Sequence, residues 1–396
     1  MKLLLLTDLP PSRDYTASIF LEKLVSFLPI DSVACFNVLN RYLNPVIPPE
    51  LAWLPIRKMV KPLENSGVKR FGAVRSLVVE TYNRLLVLPK IADEVIKYFQ
   101  LVGANAILVP IQGQTMIYLA KLVAQKSHAT LYPLVYDHPG WWIRENKIHP
   151  WIARQVLNDF GDVLRYGTKT SCCSWEMSKY YKALYGIQTV PVVAGLEKKF
   201  AQKPSINATS KTEFSICLTG QIYSSNEWGA LIAALSMTKW KIAGKNIKIK
   251  LLAPQVNQYA KGQPLNIEFM GWRPQKEIIK ICANSDLLYC PYWFDPEFEM
   301  EARLSFPSKL TNYLASGRPV FFHGPSYASP AKFLRKNHAA LFCYSLNPKV
   351  IVEKLEEIMT NSELYRSLAF NGRFTFDHYL TTDCMRESFY QLLDIK

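Results

Sequence analysis

Arg303–Gly324, reading RLSFPSKLTNYLASGRPVFFHG, is the stretch from which the rest of the chain can be ordered. Ser305 is placed to cap a helix, and Pro307 fits the first turn, where a missing N–H costs nothing. Leu310, Tyr313 and Leu314 recur at i, i+3, i+4 and predict a core-facing stripe. Gly317 supplies a left-handed stop and Pro319 bars the helix from continuing, so Pro319–Phe322 reads as a buried strand. The free N–H groups at such a helix start suit an anion, and Arg303 and Lys309 add formal charge beside them. An ordinary helix–strand unit with a basic surface has the same local pattern, so this stretch alone leaves both readings open.

Outside this stretch, the chain of 396 residues is long enough for two domains with a sizeable core. Hydrophobic residues make up 49%, yet no apolar run approaches the ~20 residues that span a bilayer. The opening MKLLLLTDLPP breaks at Thr7-Asp8, which predicts a first β-strand rather than a signal-peptide core. Eight scattered cysteines without a C-x-x-C predict free thiols, neither a disulfide framework nor a zinc site. Asn207-Ala208-Thr209 is formally a glycosylation sequon. The net charge of +15 points to nucleic acid, anionic lipid or phosphorylated substrates as partners. Nucleic acid is not expected, because no recognition motif or clustered basic helix accompanies the charge. The chain has 17 glycines where about 7% is usual, which counts against a glycine-rich phosphate loop.

Two series of alternating strands and helices follow. In the first, strands are expected at 2–6, 31–38, 106–110, 130–136 and 163–168, with helices at 16–27, 91–99, 115–125 and 174–184. The segment 45–62 reads as irregular. From Trp53 to Lys90, basic residues (Arg57, Lys58, Lys61, Lys69, Arg70, Arg75, Arg84) alternate with apolar ones such as Met59, Val60, Phe71 and Leu77. That composition suits an interfacial surface on an anionic membrane, and equally a solvated helical face. Asp8 and Arg13 lie in a loop leaving the first strand, where open α/β sheets place ligands. His138 follows the strand at 130–136, and Trp141, Trp142 and Trp151 offer an apolar, sugar-stacking or lipid-contacting rim. The second series has strands at 214–219, 247–252, 267–270 and 287–290, with helices at 228–235 and 274–282; helices at 362–371 and 384–393 close the chain.

FPSKLTNYLASGRPV resembles the FPSK-type variant of the donor-nucleotide motif in retaining, family-4-type glycosyltransferases of the GT-B fold. The resemblance covers most of the chain, best over 267–325 and thinly over 40–100. It implies two doubly wound, Rossmann-like α/β domains facing across a cleft. Their expected bounds are 1–196 for an acceptor domain, 197–212 for a linker and 213–372 for a donor domain, with 373–396 crossing back to the first domain. It also implies a nucleotide sugar (UDP-, GDP- or TDP-linked) as co-substrate, with no metal and no other cofactor. The leaving diphosphate would lie against Ser305, Phe306, Pro307, Ser308 and Lys309, with Arg303 and Arg273 adding charge, Gly220 at the first turn of the donor domain and Asn312 at a ribose hydroxyl. His138 would meet the transferred sugar as the catalytic candidate. Asp8, Arg13, Thr16, Trp141 and Trp142 would serve a lipid-linked or saccharide acceptor.

Three features depart from the family pattern. Gly220-Gln221 stands where the family has Gly-Arg, and 222–229 holds no Lys or Arg. Leu304 and Asn312 stand where it has two glutamates, with Asp295, Glu297, Glu299 and Glu301 just upstream. Thr16-Ala17 stands where it often has Gly-Gly. The basic chain without a membrane span suggests peripheral attachment to the cytoplasmic leaflet in cell-surface glycan synthesis. A nucleotide-sugar-binding scaffold without transfer activity, or a non-glycosyl enzyme of the same fold such as a sugar-nucleotide epimerase, stays open.

Overall fold

A computed structural model of the protein describes residues 1–64, 72–208, 210–253 and 266–395. Lys69, Arg70 and Phe71 of the basic stretch and Thr209 of the sequon lie outside the described residues. The chain divides into two compact units, Met1–Val193 with Arg386–Lys396, and Ala194–Met385.

In the first unit, the runs LLLLT, VACFNVL and AILVP are almost wholly buried, as expected of parallel strands covered on both faces. They are β1 (Leu3–Thr7), β2 (Val33–Leu39) and β4 (Ala106–Pro110), joined by β3 (Ile56–Val60), β5 (Thr130–Val135), β6 (Thr170–Cys172) and β7 (Thr189–Pro191). All pair in parallel, in the order β3-β2-β1-β4-β5-β6-β7, so the winding reverses between β1 and β4. Two expectations fail here. Strand β3, IRKMV, lies inside the segment read as irregular, because an edge strand that is only half covered can carry Arg57 and Lys58. Residues 163–166, read as strand, close a helix Pro150–Tyr166 in which Val156, Phe160, Val163 and Leu164 recur at helical spacing and are buried.

The second unit repeats the plan. Strands β8 (Glu213–Thr219), β10 (Lys245–Leu252), β11 (Ile267–Phe269), β12 (Leu287–Pro291), β13 (Val320–His323) and β14 (Ala340–Cys343) are parallel in the order β11-β10-β8-β12-β13-β14, and β9 (Lys241–Ile242) pairs antiparallel with β10. Here the winding reverses between β8 and β12. One core runs from Phe214, Ile216 and Leu218 through Trp228, Leu231 and Leu235 to Tyr289, Phe321 and Leu355. The segment 197–212 is held on this unit: Gln202 N–H donates to Ala315 O (2.8 Å), Ser205 N–H to Gly317 O (2.9 Å), and Arg318 to Ser205 Oγ (2.7 Å) and Tyr365 OH (3.1 Å). Gly317 serves two needs at once. Its φ of +70° ends the helix Lys309–Ala315, and a Cβ there would lie 2.5 Å from Lys203 O.

The eight cysteines are free thiols, six of them buried. Among the described residues no helix is long and apolar enough to cross a membrane.

Candidate functional site

Open α/β sheets bind ligands outside the carboxyl ends of the strands where the winding reverses. Each unit has one such point, and chemistry gathers at both.

In the first unit, the loops leaving β1 and β4 wall a cavity of about 360 Å³ lined by Asp8, Lys61, Glu64, Gln112, Gln114, Trp141, Trp142 and neighbours. Lys61 Nζ sits 3.1 Å from Asp8 Oδ2 and 3.0 Å from Glu64 Oε2. Glu64 Oε1 accepts the N–H of Thr115 at 2.8 Å, in the first turn of the helix Gly113–Ser127. Burial alone would pull the Lys61 ammonium down, but the Glu64 and Asp8 carboxylates hold its pKa above the usual lysine value. Two acids therefore quench one cation, and aromatic faces and side-chain amides complete the wall.

Of the expected acceptor residues, the cavity brings together Asp8, Trp141 and Trp142. The tryptophans ride on a short helix, Gly140–Glu145, rather than a long loop. Arg13 is not part of this wall: it is exposed and pairs with Glu50 (3.1 Å) and Glu22 (3.5 Å). Thr16 is the exposed first residue of the helix Thr16–Ser26. His138 precedes the tryptophan helix, and its Nδ1 accepts the N–H of Gly140 at 3.0 Å. Burial, with a smaller push from Arg144, lowers its pKa to about 4. The ring is therefore neutral near pH 7 with its proton on Nε2, a ready hydrogen-bond donor.

In the second unit, β8 ends at Thr219, the next residue, Gly220, with a φ of +78°, turns the chain into Gln221–Ser224, and β12 ends beside Tyr292–Phe294. The two loops are tied together. Trp293 Nε1 donates to Tyr223 O (3.1 Å), the two rings lie 4.8 Å apart, and Phe294 N–H donates to buried Glu227 (2.7 Å). Lys309 enters here. It is 8% exposed, and its Nζ has no hydrogen-bond partner among the described residues. It lies 4.8 Å from the centre of the Tyr223 ring, and its Cε would be 4.0 Å from a Cβ on Gly220. Burial lowers its pKa to about 8. The buried Ser224 Oγ, at the start of the helix Ser225–Met237, also lacks a partner among the described residues. A desolvated ammonium beside an aromatic face, with no hydrogen-bond partner among the described residues, is chemically suited to an anion.

Ser305 does not cap the helix Lys309–Ala315. It ends a preceding helix, Glu299–Leu304, because Phe306, before Pro307, cannot continue it, and its carbonyl accepts from Tyr292 OH at 3.0 Å. The N-cap of Lys309–Ala315 is Ser308, without a side-chain cap bond; Pro307 O accepts from Leu310 N–H (3.0 Å), and the Phe306 ring lies edge-on to Phe333. Arg303 is occupied by Glu299 (2.7 Å) and lies 4.4 Å from the Tyr327 ring centre. Arg273 is exposed, 3.9 Å from Glu277. Asn312 Oδ1 lies 3.4 Å from Gln275 Nε2. The acidic run upstream is no open loop: Asp295 caps the turn Pro296–Phe298, and Glu301 and Leu304 are buried in the helix.

No family model and no curated protein sequence matches the chain. Solved structures do match it, over its full length. Sucrose-phosphate synthase from Thermosynechococcus elongatus has a TM-score of 0.70 at 13% identity, with 98% of that chain covered. HepE from Anabaena, in complex with UDP, has 0.68 at 12%, with 100% covered. The lipopolysaccharide outer core galactosyltransferase WaaB has 0.65 at 10%, with 99% covered. This is the GT-B fold. The two reversal points described above are thus those of the two Rossmann-like halves of a GT-B chain. Glu64, Gln112 and Gln114 in the first half, and Tyr223, Ser224, Glu227 and Trp293 in the second, had no assigned role in the sequence, and Lys61 read only as part of a basic stretch. The strand ends that gather them were readable, but their convergence was not.

Proposed function

We propose that the protein is a nucleotide-sugar-dependent glycosyltransferase, retaining and metal-independent. The observation that carries this reading is Lys309, a buried ammonium without a hydrogen-bond partner among the described residues, at the strand-order reversal of the second unit. In this reading it receives the diphosphate of the donor. As the bond from the anomeric carbon to the diphosphate breaks, negative charge grows on the leaving group, and a cation fixed in a dry site stabilises it most when that charge is greatest. Lys309 then supplies from the FPSK stretch the charge that the loop after Gly220 lacks. Its helix is only two turns long, so the ammonium rather than the helix end does most of this. HepE, solved with UDP, supports a uridine nucleotide.

His138, neutral with Nε2–H free to donate, would hold a hydroxyl of the transferred sugar, and the cavity beside Asp8, Trp141 and Trp142 would take the acceptor. A lipid-linked or growing polysaccharide acceptor in cell-surface glycan synthesis, met by a peripheral protein on the cytoplasmic leaflet, fits the basic chain. WaaB, by its description a lipopolysaccharide core enzyme, is a parallel.

A second reading has its own observation: Leu304 is buried apolar and Asn312 is uncharged where the resembled family has acids. It makes the protein a nucleotide-sugar-binding scaffold. A thermal-shift panel of UDP-, GDP- and TDP-sugars followed by donor hydrolysis separates the two. The transferase reading expects stabilisation by one nucleotide class and turnover of its sugar. Stabilisation without turnover under any acceptor supports the scaffold, and no stabilisation by any nucleotide removes both.

A further inference from the structure

The first unit carries a helix built inside out. Gly72–Tyr82, a π-helical turn Asn83–Val87 and Leu88–Leu101 run on without a break. In its first four turns the side facing the protein is polar. Ser76, Glu80 and Asn83 are buried; Glu80 pairs with Arg84 (2.9 Å), and Arg84 with Asp159 (2.6 Å), which also binds Lys121. The side facing outward is apolar: Val74, Val78, Tyr82, Leu85 and Leu86 are each more than half exposed. A helix in water shows the reverse pattern. Single exposed apolar residues need no explanation, but five at helical spacing over ~18 Å of rise form a patch.

The charges around this patch select its partner. Between Gly72 and Lys90 the sole acid in the sequence is Glu80, which is buried and paired. Arg75 and Lys90 are exposed and make no ion pair among the described residues. The outward face is therefore apolar at its centre and cationic at its margins, within a chain of net charge +15. We infer that this face lies on an anionic bilayer, with the valines and leucines below the head groups, Tyr82 at their level and Arg75 and Lys90 on lipid phosphates. The buried side of the same helix, opposite this face, reaches towards the cavity of the unit. Asn83 Nδ2 donates to Leu63 O (3.0 Å), and the neighbouring Glu64 lines the cavity. The docking face itself rests on the pattern of the helix and not on the transfer reaction proposed above.

Co-sedimentation of the full chain with vesicles tests it, using phosphatidylglycerol-rich against pure phosphatidylcholine membranes. We expect binding to the anionic vesicles, weakened by salt, and at least tenfold weaker binding for the double variant Leu85→Glu, Leu86→Glu. The pair Arg75→Glu, Lys90→Glu should lose severalfold and most of the salt dependence. Because all four residues are exposed, melting temperature and the response to UDP should stay at wild-type values, which separates a failure here from a failure of the nucleotide reading. The inference is overturned if the wild type does not bind anionic vesicles, or if the leucine variant binds as the wild type does. It is equally overturned if light scattering shows a dimer that the leucine variant converts to monomer, since a second copy then covers the face.

Discussion

Lys61 and Lys309 reach the strand-order reversals of the two halves from different elements, the end of edge strand β3 and the start of the helix Lys309–Ala315, and they are opposites. Each is a lysine beside the strand-order reversal of a parallel sheet, and each is almost removed from water. Lys61 lies between two carboxylates at 3.0 and 3.1 Å, which raise its pKa. Lys309 has an aromatic ring and no hydrogen-bond partner among the described residues, and its pKa falls to about 8. The first half is complete as it stands, while the second leaves a charge to be satisfied from outside. A closed ion cluster with tryptophans suits a ligand rich in hydroxyls, and an open cation suits a phosphate. In the proposed reading the same fold thus carries two different recognition chemistries, distinguished by where the counter-charge comes from.

The largest effect expected is on nucleotide affinity. Lys309→Ala should weaken UDP binding by about 100-fold, the loss of one desolvated charge pair, about 2–3 kcal/mol. Calorimetry measures it, and unchanged affinity would move the phosphate site elsewhere. The same ammonium should act in the opposite sense on the empty protein. Its folded pKa of about 8 lies below the ordinary 10.5, so the unfolded chain binds more protons between those values and stability rises with pH across that window. Below pH 8 the full cost of burying the charge remains, about 3 kcal/mol. Lys309→Met should therefore be more stable than wild type in urea at pH 7.5, with the gap closing by pH 10. A constant gap would mean that the ammonium is solvated in the empty site.

Lys61→Met reverses that sign. It leaves Asp8 and Glu64 facing each other, half-covered and without their cation, and should destabilise by about 2 kcal/mol. Opposite shifts in melting temperature for the two Lys→Met variants would establish the contrast between the halves, and shifts of the same sign would end it. A smaller effect is expected at His138. Its folded pKa of about 4 lies below the ordinary 6.5, so its contribution to stability is present above pH 6.5 and is lost as pH falls towards 4. A titration of its ring protons by NMR should give a midpoint near 4, and a midpoint near 6.5 would show a ring open to water.

Much of this was legible in the sequence, for physical reasons. Strands β1, β4, β8 and β12 read as apolar runs because parallel strands are covered on both faces. The glycine stop of the helix Lys309–Ala315 read correctly because Gly317 is fixed twice over, by its φ and by the chain packed against it, whereas the helix start, expected with Ser305 as its cap, lies at Ser308. Strand β3 did not read, since an edge strand tolerates Arg57 and Lys58. Arg57, Lys61 and Arg84 looked like part of a basic surface, but each is matched by an acid far along the chain, Glu94, Asp8 and Asp159. No local pattern shows a pairing that only parallel strand order creates. The FPSK motif singled out Lys309, but its burial without a hydrogen-bond partner among the described residues is a property of the packing.

The smallest effect expected tests the turn that frames this contrast. The chain leaves β1 through Asp8-Leu9, with no glycine, and leaves β8 through Gly220 at φ +78°. An alanine there costs about 1 kcal/mol for the left-handed backbone. Its Cβ would meet Lys309 Cε at 4.0 Å, ordinary contact, so the cation need not move. If the ammonium is the chief anchor of the phosphate, Gly220→Ala lowers the melting temperature by a few degrees and changes UDP affinity by less than threefold. A loss beyond tenfold, with Lys309 untouched, would mean that the ligand lies against the backbone at Gly220 itself. The second half would then hold its anion by bare main chain as well as by charge, which the first half, with Asp8 at that turn, cannot do.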